Sequence, residues 1–371
     1  MEQRKAQVMT RHDLEPQTDR PAASLWIGTY AGGGGKGVYP LHRGAAGWTT
    51  PAPAHPAQNC SFGVHAARFD LHYLVDEHGG SVGVFRRRED DGAAPWDCLA
   101  RISTGGVAPC HIALDRSECW FAVANYASGS LSVQSLDPQT GLPVGVPIVR
   151  QNTGSGPNPD RQQSPHAHWV GFSPDNRWLY ATDLGTDQVL AFAFDAEDGT
   201  LGQPIVALDA PPGSGPRHLL LHPHRPGLAY LACELTNHLV VLEIEGAVFR
   251  PRSTVSTLPV DAAQGSIVAH IAANAAGNRL YVSNRGDDSI AVFALDDEGE
   301  PVLLQHVASG GASPRFFLLL EDERQMIVAH ERDHRVTLLD IQLDGTLSPT
   351  ATGIVVPGAA FVFDRRPRTP A

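Results

Sequence analysis

The chain has 371 residues, and its 40 acidic against 28 basic side chains leave a formal net charge of −12. That balance argues against nucleic acid, whose binding rests on neutralising phosphates with Lys and Arg, yet a few local arginines can still hold a small anion. No stretch approaches 18 apolar residues, so no membrane-spanning helix is expected, and Cys60, Cys98, Cys110, Cys119 and Cys233 show no C-x-x-C spacing and read as free thiols of a cytoplasmic protein.

Taken in chain order, residues 1–22 lack an apolar core and are expected to be a disordered lead. The first apolar run, LWIGT, ends on Thr29. The following GTYAGGGGKG, with Gly32 to Gly35, lacks the G-K-S/T ending and the helix of a phosphate loop, so it reads as a flexible loop. Six further runs each end on one polar residue: YLVD on Asp76, FAVAN on Asn125, LYATD on Asp183, YLACE on Glu234, LYVSN on Asn284 and MIVAH on His330. The intervals are 47, 49, 58, 51, 50 and 46 residues. A period near fifty marks a repeat architecture.

The unit from His166 to Asp195 reads HAHWVGFSP, DNRWLYATD, LGTDQVLAFAFD. Each piece is short, rich in β-branched and aromatic residues, and bounded by turn formers. No window holds a helical period over three turns. The expected fold is all-β, a seven-bladed β-propeller of four-stranded blades spanning residues 23–364 as a single domain. The terminal GIVVPGAAFVFD is expected to lend a strand to the first blade, so that pairing of N- and C-terminal strands closes the ring and removes free edges. Residues 365–371 read as a disordered tail.

In such a blade the start of the first strand and the end of the second lie at one mouth of the central channel. First strands begin at PCH (109–111), PHAH (165–168), PRH (216–218) and PRF (314–316). The expected rim therefore carries His111, His166, His168, Arg217, His218, Glu234, Arg285 and Arg315, with Asn59, Asp76, Asn125, Tyr126 and Asp183 nearby. The Asx caps equally suit loop backbone groups, and a structural ion pair is the alternative for Arg217 with Glu234. His166 and His168 share a strand face and could chelate, but no carboxylate or thiol completes a ligand set, so neither metal nor cofactor is expected.

These strings, together with GTY (28–30), NCSF (59–62), ANYASGSLSV (124–133), GSGPRHLLLHP (213–223), ELTN (234–237), SNRGDDSIAVF (283–293) and SPRFF (313–317), resemble the lactonase-type seven-bladed propellers, which include 6-phosphogluconolactonases and carboxymuconate cycloisomerases. The resemblance runs from Leu25 to Phe363. It implies functional residues at His166 or His168, Arg217, Glu234 and Arg285. It departs at His270, where an acidic residue is usual, at Cys60 and at His330. The implied activity is hydrolysis of a sugar lactone, 6-phosphogluconolactone or a related aldonolactone, by a monomer or weak homo-oligomer. Glu234 would be the base, assisted by or exchanged with His166, while Arg217 and Arg285 grip oxyanions. His168, His111, Tyr126, Asn125, Asp183, His218, His270 and Arg315 would contact substrate. A lactonising cycloisomerase and a non-catalytic interaction propeller are the alternatives.

Overall fold

The computed structural model describes residues 25–44, 47–50, 57–88, 96–262 and 264–364. The two terminal segments read as disordered lie outside the described residues. The described chain forms seven four-stranded antiparallel sheets and, apart from two short 3-10 turns, no helix. Blade 1 joins Ala359–Asp364, as its innermost strand, to Leu25–Thr29 and two outer strands. Blades 2 to 7 begin with innermost strands Gly63–Ala66, Pro109–Leu114, Ala167–Phe172, Pro216–Leu221, Ile267–Ala273 and Pro314–Leu320. Closure is thus the pairing expected, with Leu25 opposite Asp364 and Ile27 opposite Val362.

The second strand of each blade is covered on both faces by neighbouring blades, so it reads as an unbroken apolar run. Leu228–Cys233 of blade 5 is buried at every position. A tyrosine recurs on these strands and straps one blade to the next. Tyr73 donates to the Gly141 carbonyl at 2.5 Å, Tyr230 to Gly299 at 2.8 Å, Tyr281 to Gly345 at 2.9 Å and Tyr180 to Gly246 at 3.4 Å. The outermost strands are mostly exposed or half-buried, and four of them contain Pro147, Pro204, Pro251 or Pro349. A proline at an edge has no N–H to offer a foreign strand.

The glycine-rich stretch within blade 1, between Leu25–Thr29 and Tyr39–Gly44, is a packed turn rather than a flexible loop. The Tyr30 amide donates to the Gly358 carbonyl at 2.8 Å, and a Cβ on Gly33 would stand 2.7 Å from Gly358 Cα. Gly358 itself has φ +69°, and a Cβ there would lie 2.2 Å from the Tyr30 carbonyl oxygen.

Across the axis, one aromatic ring from each blade closes the channel. Phe62 packs on His111 (centroids 4.1 Å apart) and on Phe361 (4.9 Å), His111 on His218 (5.4 Å), His218 on His168 (5.6 Å) and on His270 (5.5 Å), His270 on Phe316 (4.2 Å), and Phe316 on Phe361 (4.7 Å). The result is a blind funnel instead of a through-channel. Burial, reinforced by the Arg217 charge, lowers His111 to about 3 and pushes His168 and His218 well below the ordinary imidazole value.

Two expectations follow. Gly358→Ala should destabilise by at least about 1–2 kcal/mol, the cost of a Cβ in left-handed backbone, whereas Gly32→Ala, which meets nothing within 4 Å, should leave the melting temperature unchanged. The folded chain also holds His111, His168 and His218 of the plug below the ordinary imidazole value, while the unfolded chain protonates them below about pH 6.5. Their stabilisation is therefore complete above that pH and lost as pH falls from there toward 3, with a slope of about 1.4 kcal/mol per pH unit for each proton taken up on unfolding. Thermal melts between pH 8 and 5 should show the decline beginning above the carboxylate range, and His218→Phe should make it shallower.

Candidate functional site

Two local devices aim side chains into the funnel. The first is a bulge near the start of the innermost strand. Pairing shifts register between Pro109 and His111, Ala167 and Trp169, Pro216 and His218, Val268 and Ile271, and Pro314 and Phe316. The unpaired residues are Cys110, His168, Arg217, Ala269 with His270, and Arg315. A bulge redirects side chains in this way. The second device is the residue one past the polar cap of the second strand. The caps Thr29, Asn125, Asp183, Asn284 and His330 are fully buried and serve the loops. Asp183 accepts the His166, Gly185 and Thr186 amides at 2.8, 3.0 and 3.1 Å, Asn284 holds Thr257, and His330 bonds Thr337 at 2.8 Å. The residues one past the caps are Tyr30, Glu77, Tyr126, Leu184, Glu234, Arg285 and Glu331, and alternation along a strand turns them the other way; Leu184 of blade 4 is buried and brings no polar group. Glu234 belongs to this second set, because Cys233 pairs with His238 as Asn284 pairs with Ser289. The sequence reading placed it one position early in the repeat.

Glu234 is the centre of the site. Its side chain is 2% exposed. Oε2 receives Arg217 Nη1, and Arg285 Nη2 at 2.9 Å; Oε1 receives Arg161 Nη2 at 2.5 Å. Burial opposes its ionisation, but Arg285, Arg217 and Arg161 together hold its carboxyl well below the ordinary range. Arg217 is fixed by its Nε bond to the Ala269 carbonyl at 2.7 Å and its Nη1 contact with His168 Nε2 at 2.6 Å. Since a guanidinium only donates, His168 Nε2 must be the unprotonated acceptor. Arg285 Nη2 also donates to the Val268 carbonyl at 3.2 Å. Burial pulls Arg285 down to about 10 against the attraction of Glu234, with Arg217 and Arg315 adding to the effect.

His166 stands beside this cluster. Its ring stacks on Tyr126, centroids 4.6 Å apart and planes 16° apart, and Nδ1 lies 3.0 Å from the Tyr126 carbonyl oxygen. A carbonyl only accepts, so Nδ1 carries the proton and the neutral ring presents Nε2 as a lone pair. The Tyr126 hydroxyl accepts from Arg161 at 3.3 Å. His166, Tyr126, Arg161, Glu234, Arg217, Arg285 and His168 thus form one contiguous set.

Arg315 sits on the wall built by blades 7, 1 and 2. Carboxylate oxygens of Glu77 and Glu331 lie 3.7 Å from it, and its guanidinium is 5.2 Å from the Tyr30 ring centroid. Tyr30 donates to Glu77 Oε2 at 2.6 Å and stacks on His78. The remaining residues expected at the rim go elsewhere. His111, His218 and His270 form part of the aromatic plug. Asn125 donates to Ser130, Asn59 to Asp76, and Asp76 pairs with Arg101 at 3.2 Å. Cys60 is buried, and His330 is an interior cap. Sequence reasoning missed Arg161, Tyr30, Glu77 and Glu331. The last three follow from stepping one residue past each cap; Arg161 comes from the loop before blade 4, which carries no repeat signal. Among the described residues no group of three or more His, Cys, Asp or Glu has metal-holding geometry, and no helix is long and apolar enough to cross a membrane.

Residues 24–363 match the family model described as lactonase, 7-bladed beta-propeller. A 6-phosphogluconolactonase of Bacillus subtilis (strain 168) is 30% identical over 343 residues, covering 90% of this chain and 96% of that protein. Among solved structures, the Pseudomonas aeruginosa periplasmic gluconolactonase PpgL superposes with a TM-score of 0.83 at 26% identity, covering 92% of this chain and 98% of that one. A Lactobacillus plantarum protein gives 0.81 at 27% identity, covering 92% and 98%. On this match across nearly its whole length, the chain belongs to the lactonase family of seven-bladed β-propellers.

Proposed function

We propose that the protein hydrolyses an aldonolactone at the funnel mouth, with His166 as the general base and the guanidiniums around Glu234 as the anion grip. The observation that carries this reading is the convergence of three guanidiniums on one buried carboxylate, beside an imidazole whose Nε2 has no partner among the described residues. Three positive charges against one negative leave an excess that suits the oxyanion of ester hydrolysis. Glu234, the residue favoured as base from the sequence, has both oxygens committed to arginines and a depressed proton affinity. Such a carboxylate is a weak proton acceptor. Its better role is to hold Arg161, Arg217 and Arg285 parallel to the substrate carbonyl.

In this mechanism His166 Nε2 takes a proton from water as the water oxygen bonds to the lactone carbonyl carbon. The carbonyl oxygen becomes an oxyanion, and guanidinium N–H groups bind it. The ring C–O bond then breaks, and the imidazolium returns its proton to the departing alkoxide. The open hydroxy acid carries a new carboxylate, which the same guanidiniums match. A cation would be repelled here by the three arginines, and the His168 lone pair is already committed to Arg217, so we expect the reaction to need no metal. All five cysteines are free, which fits a reducing, cytoplasmic setting. A cycloisomerase acting on a carboxymuconate-like dicarboxylate could use the same groups, but the similar proteins of Bacillus subtilis and Pseudomonas aeruginosa are lactonases by name, which favours lactone opening.

The test is a panel of aldonolactones followed by proton release, with wild type and His166→Gln compared across pH. Hydrolysis of at least one lactone, with a loss of roughly 10²–10⁴-fold in His166→Gln and disappearance of the acid limb of the rate profile, is the expected result. A variant that keeps the limb and most of the rate would remove His166 from the mechanism.

A further inference from the structure

The wall bearing Arg315 differs in charge from the wall bearing Glu234. On the Glu234 wall guanidiniums outnumber carboxylates by two. On the Arg315 wall two carboxylates, Glu77 and Glu331, face one guanidinium, leaving a single negative charge. Arg315 has a side chain 13% exposed, yet among the described residues no acceptor lies within hydrogen-bond reach of it. Both carboxylates stop at 3.7 Å. Tyr30 lies beneath the guanidinium and holds Glu77 by its hydroxyl. The donors of Arg315 are therefore held in place but unspent, which is costly unless water or a ligand takes them. Both walls open on one mouth, because Arg315 occupies in blade 7 the bulge position that Arg217 occupies in blade 5, and Glu77 and Glu331 follow their second-strand caps as Glu234 and Arg285 follow theirs.

An alternation of acceptor, donor and acceptor suits sugar hydroxyls. Each hydroxyl can donate to a carboxylate and accept from the guanidinium between them. A phosphate has no such match. It could accept from Arg315, but it carries about −1.5 to −2 charges at pH 7 and would meet two carboxylates with no proton to give them. Like-charge juxtaposition of this kind is how sites reject the wrong ligand.

We propose that Arg315 with Glu77, Glu331 and Tyr30 is the subsite for the hydroxylated end of the lactone, and that it selects an unphosphorylated aldonolactone over its 6-phosphate. This rests on the lactonase reading, with the carbonyl at the Glu234 wall and the opposite end of the sugar at Arg315. The subsite sets specificity and takes no part in proton transfer.

The experiment compares kcat/KM for glucono-1,5-lactone and its 6-phosphate, in wild type, Glu331→Gln and Glu77→Gln/Glu331→Gln. Calorimetric binding of gluconate and 6-phosphogluconate accompanies it and needs no turnover. Wild type should favour the unphosphorylated member of each pair by at least roughly tenfold, and the double variant should shift that ratio toward the phosphate by a similar factor. Glu331→Gln, at the more exposed position, should give part of the shift and keeps the test open if the double variant does not fold. Preference of the wild type for the phosphorylated compounds, binding of neither acid, or a selectivity ratio unchanged in a folded variant would overturn the proposal. If no lactone is opened but gluconate binds over 6-phosphogluconate, the hydrolase reading falls and the subsite stands; turnover without discrimination has the reverse meaning.

Discussion

The burial of the Glu234 carboxylate is the constraint around which the mouth is organised. An ionised carboxylate removed from water is tolerated only when its oxygens are fully matched by charged donors. Here the match takes three guanidiniums from three different pieces of chain: a loop between blades 3 and 4, the innermost strand of blade 5 and the second strand of blade 6. Each arginine is in turn tied to something rigid. Arg217 bonds the Ala269 carbonyl and His168, Arg285 bonds the Val268 carbonyl, and Arg161 bonds the Tyr126 hydroxyl. Blades 3 to 6 must therefore hold their relative positions for the charge to stay paired. The tyrosine straps between blades and the ring closure at Gly358 supply that stiffness, so the fold's most local features bear on its most distant requirement.

A propeller faces the problem of making one asymmetric site from seven similar units. This chain does so by varying two positions from blade to blade. The bulge residue is Cys110, His168, Arg217, Ala269 with His270, or Arg315 according to blade, and the position after the cap is Tyr30, Glu77, Tyr126, Leu184, Glu234, Arg285 or Glu331. One half of the mouth thereby becomes cationic and the other acidic. Beneath them the plug follows the same division, with imidazoles from blades 3 to 6 and phenyl rings from blades 7, 1 and 2. Burial holds the imidazoles of His111, His168 and His218 neutral, so that part of the funnel floor adds hydrogen-bonding groups without adding charge.

The repeat, the strand count and the closing strand were all legible in the sequence, because each leaves a periodic apolar trace at Leu25–Thr29, Leu228–Cys233 and their equivalents. Arg217, Glu234 and Arg285 were legible as well, since strand direction brings first-strand starts and second-strand ends to one mouth. What the pattern hid was side-chain facing. Asn125, Asp183, Asn284 and His330 look like mouth residues, but they are buried caps, and a step of one residue on a strand reverses the face presented. The bulges at His168, Arg217 and Arg315 leave no sequence signature of their own. Arg161 lies in a loop of no fixed register, and the plug arises from rings that meet only across the axis, where neighbours in space are distant in sequence.

The central claim is that Glu234 organises the arginines and does not itself accept the proton. The most direct test is the pH dependence of kcat/KM for Glu234→Gln, measured with the melting temperature of the same sample. The amide keeps the shape but leaves three guanidiniums without their counter-charge, so a stability loss of about 3–5 kcal/mol is expected, as for other broken buried pairs. The account predicts that the folded fraction turns over more slowly while an acid limb remains in the profile. A variant of near-normal stability whose acid limb has vanished would contradict it and return the role of base to Glu234.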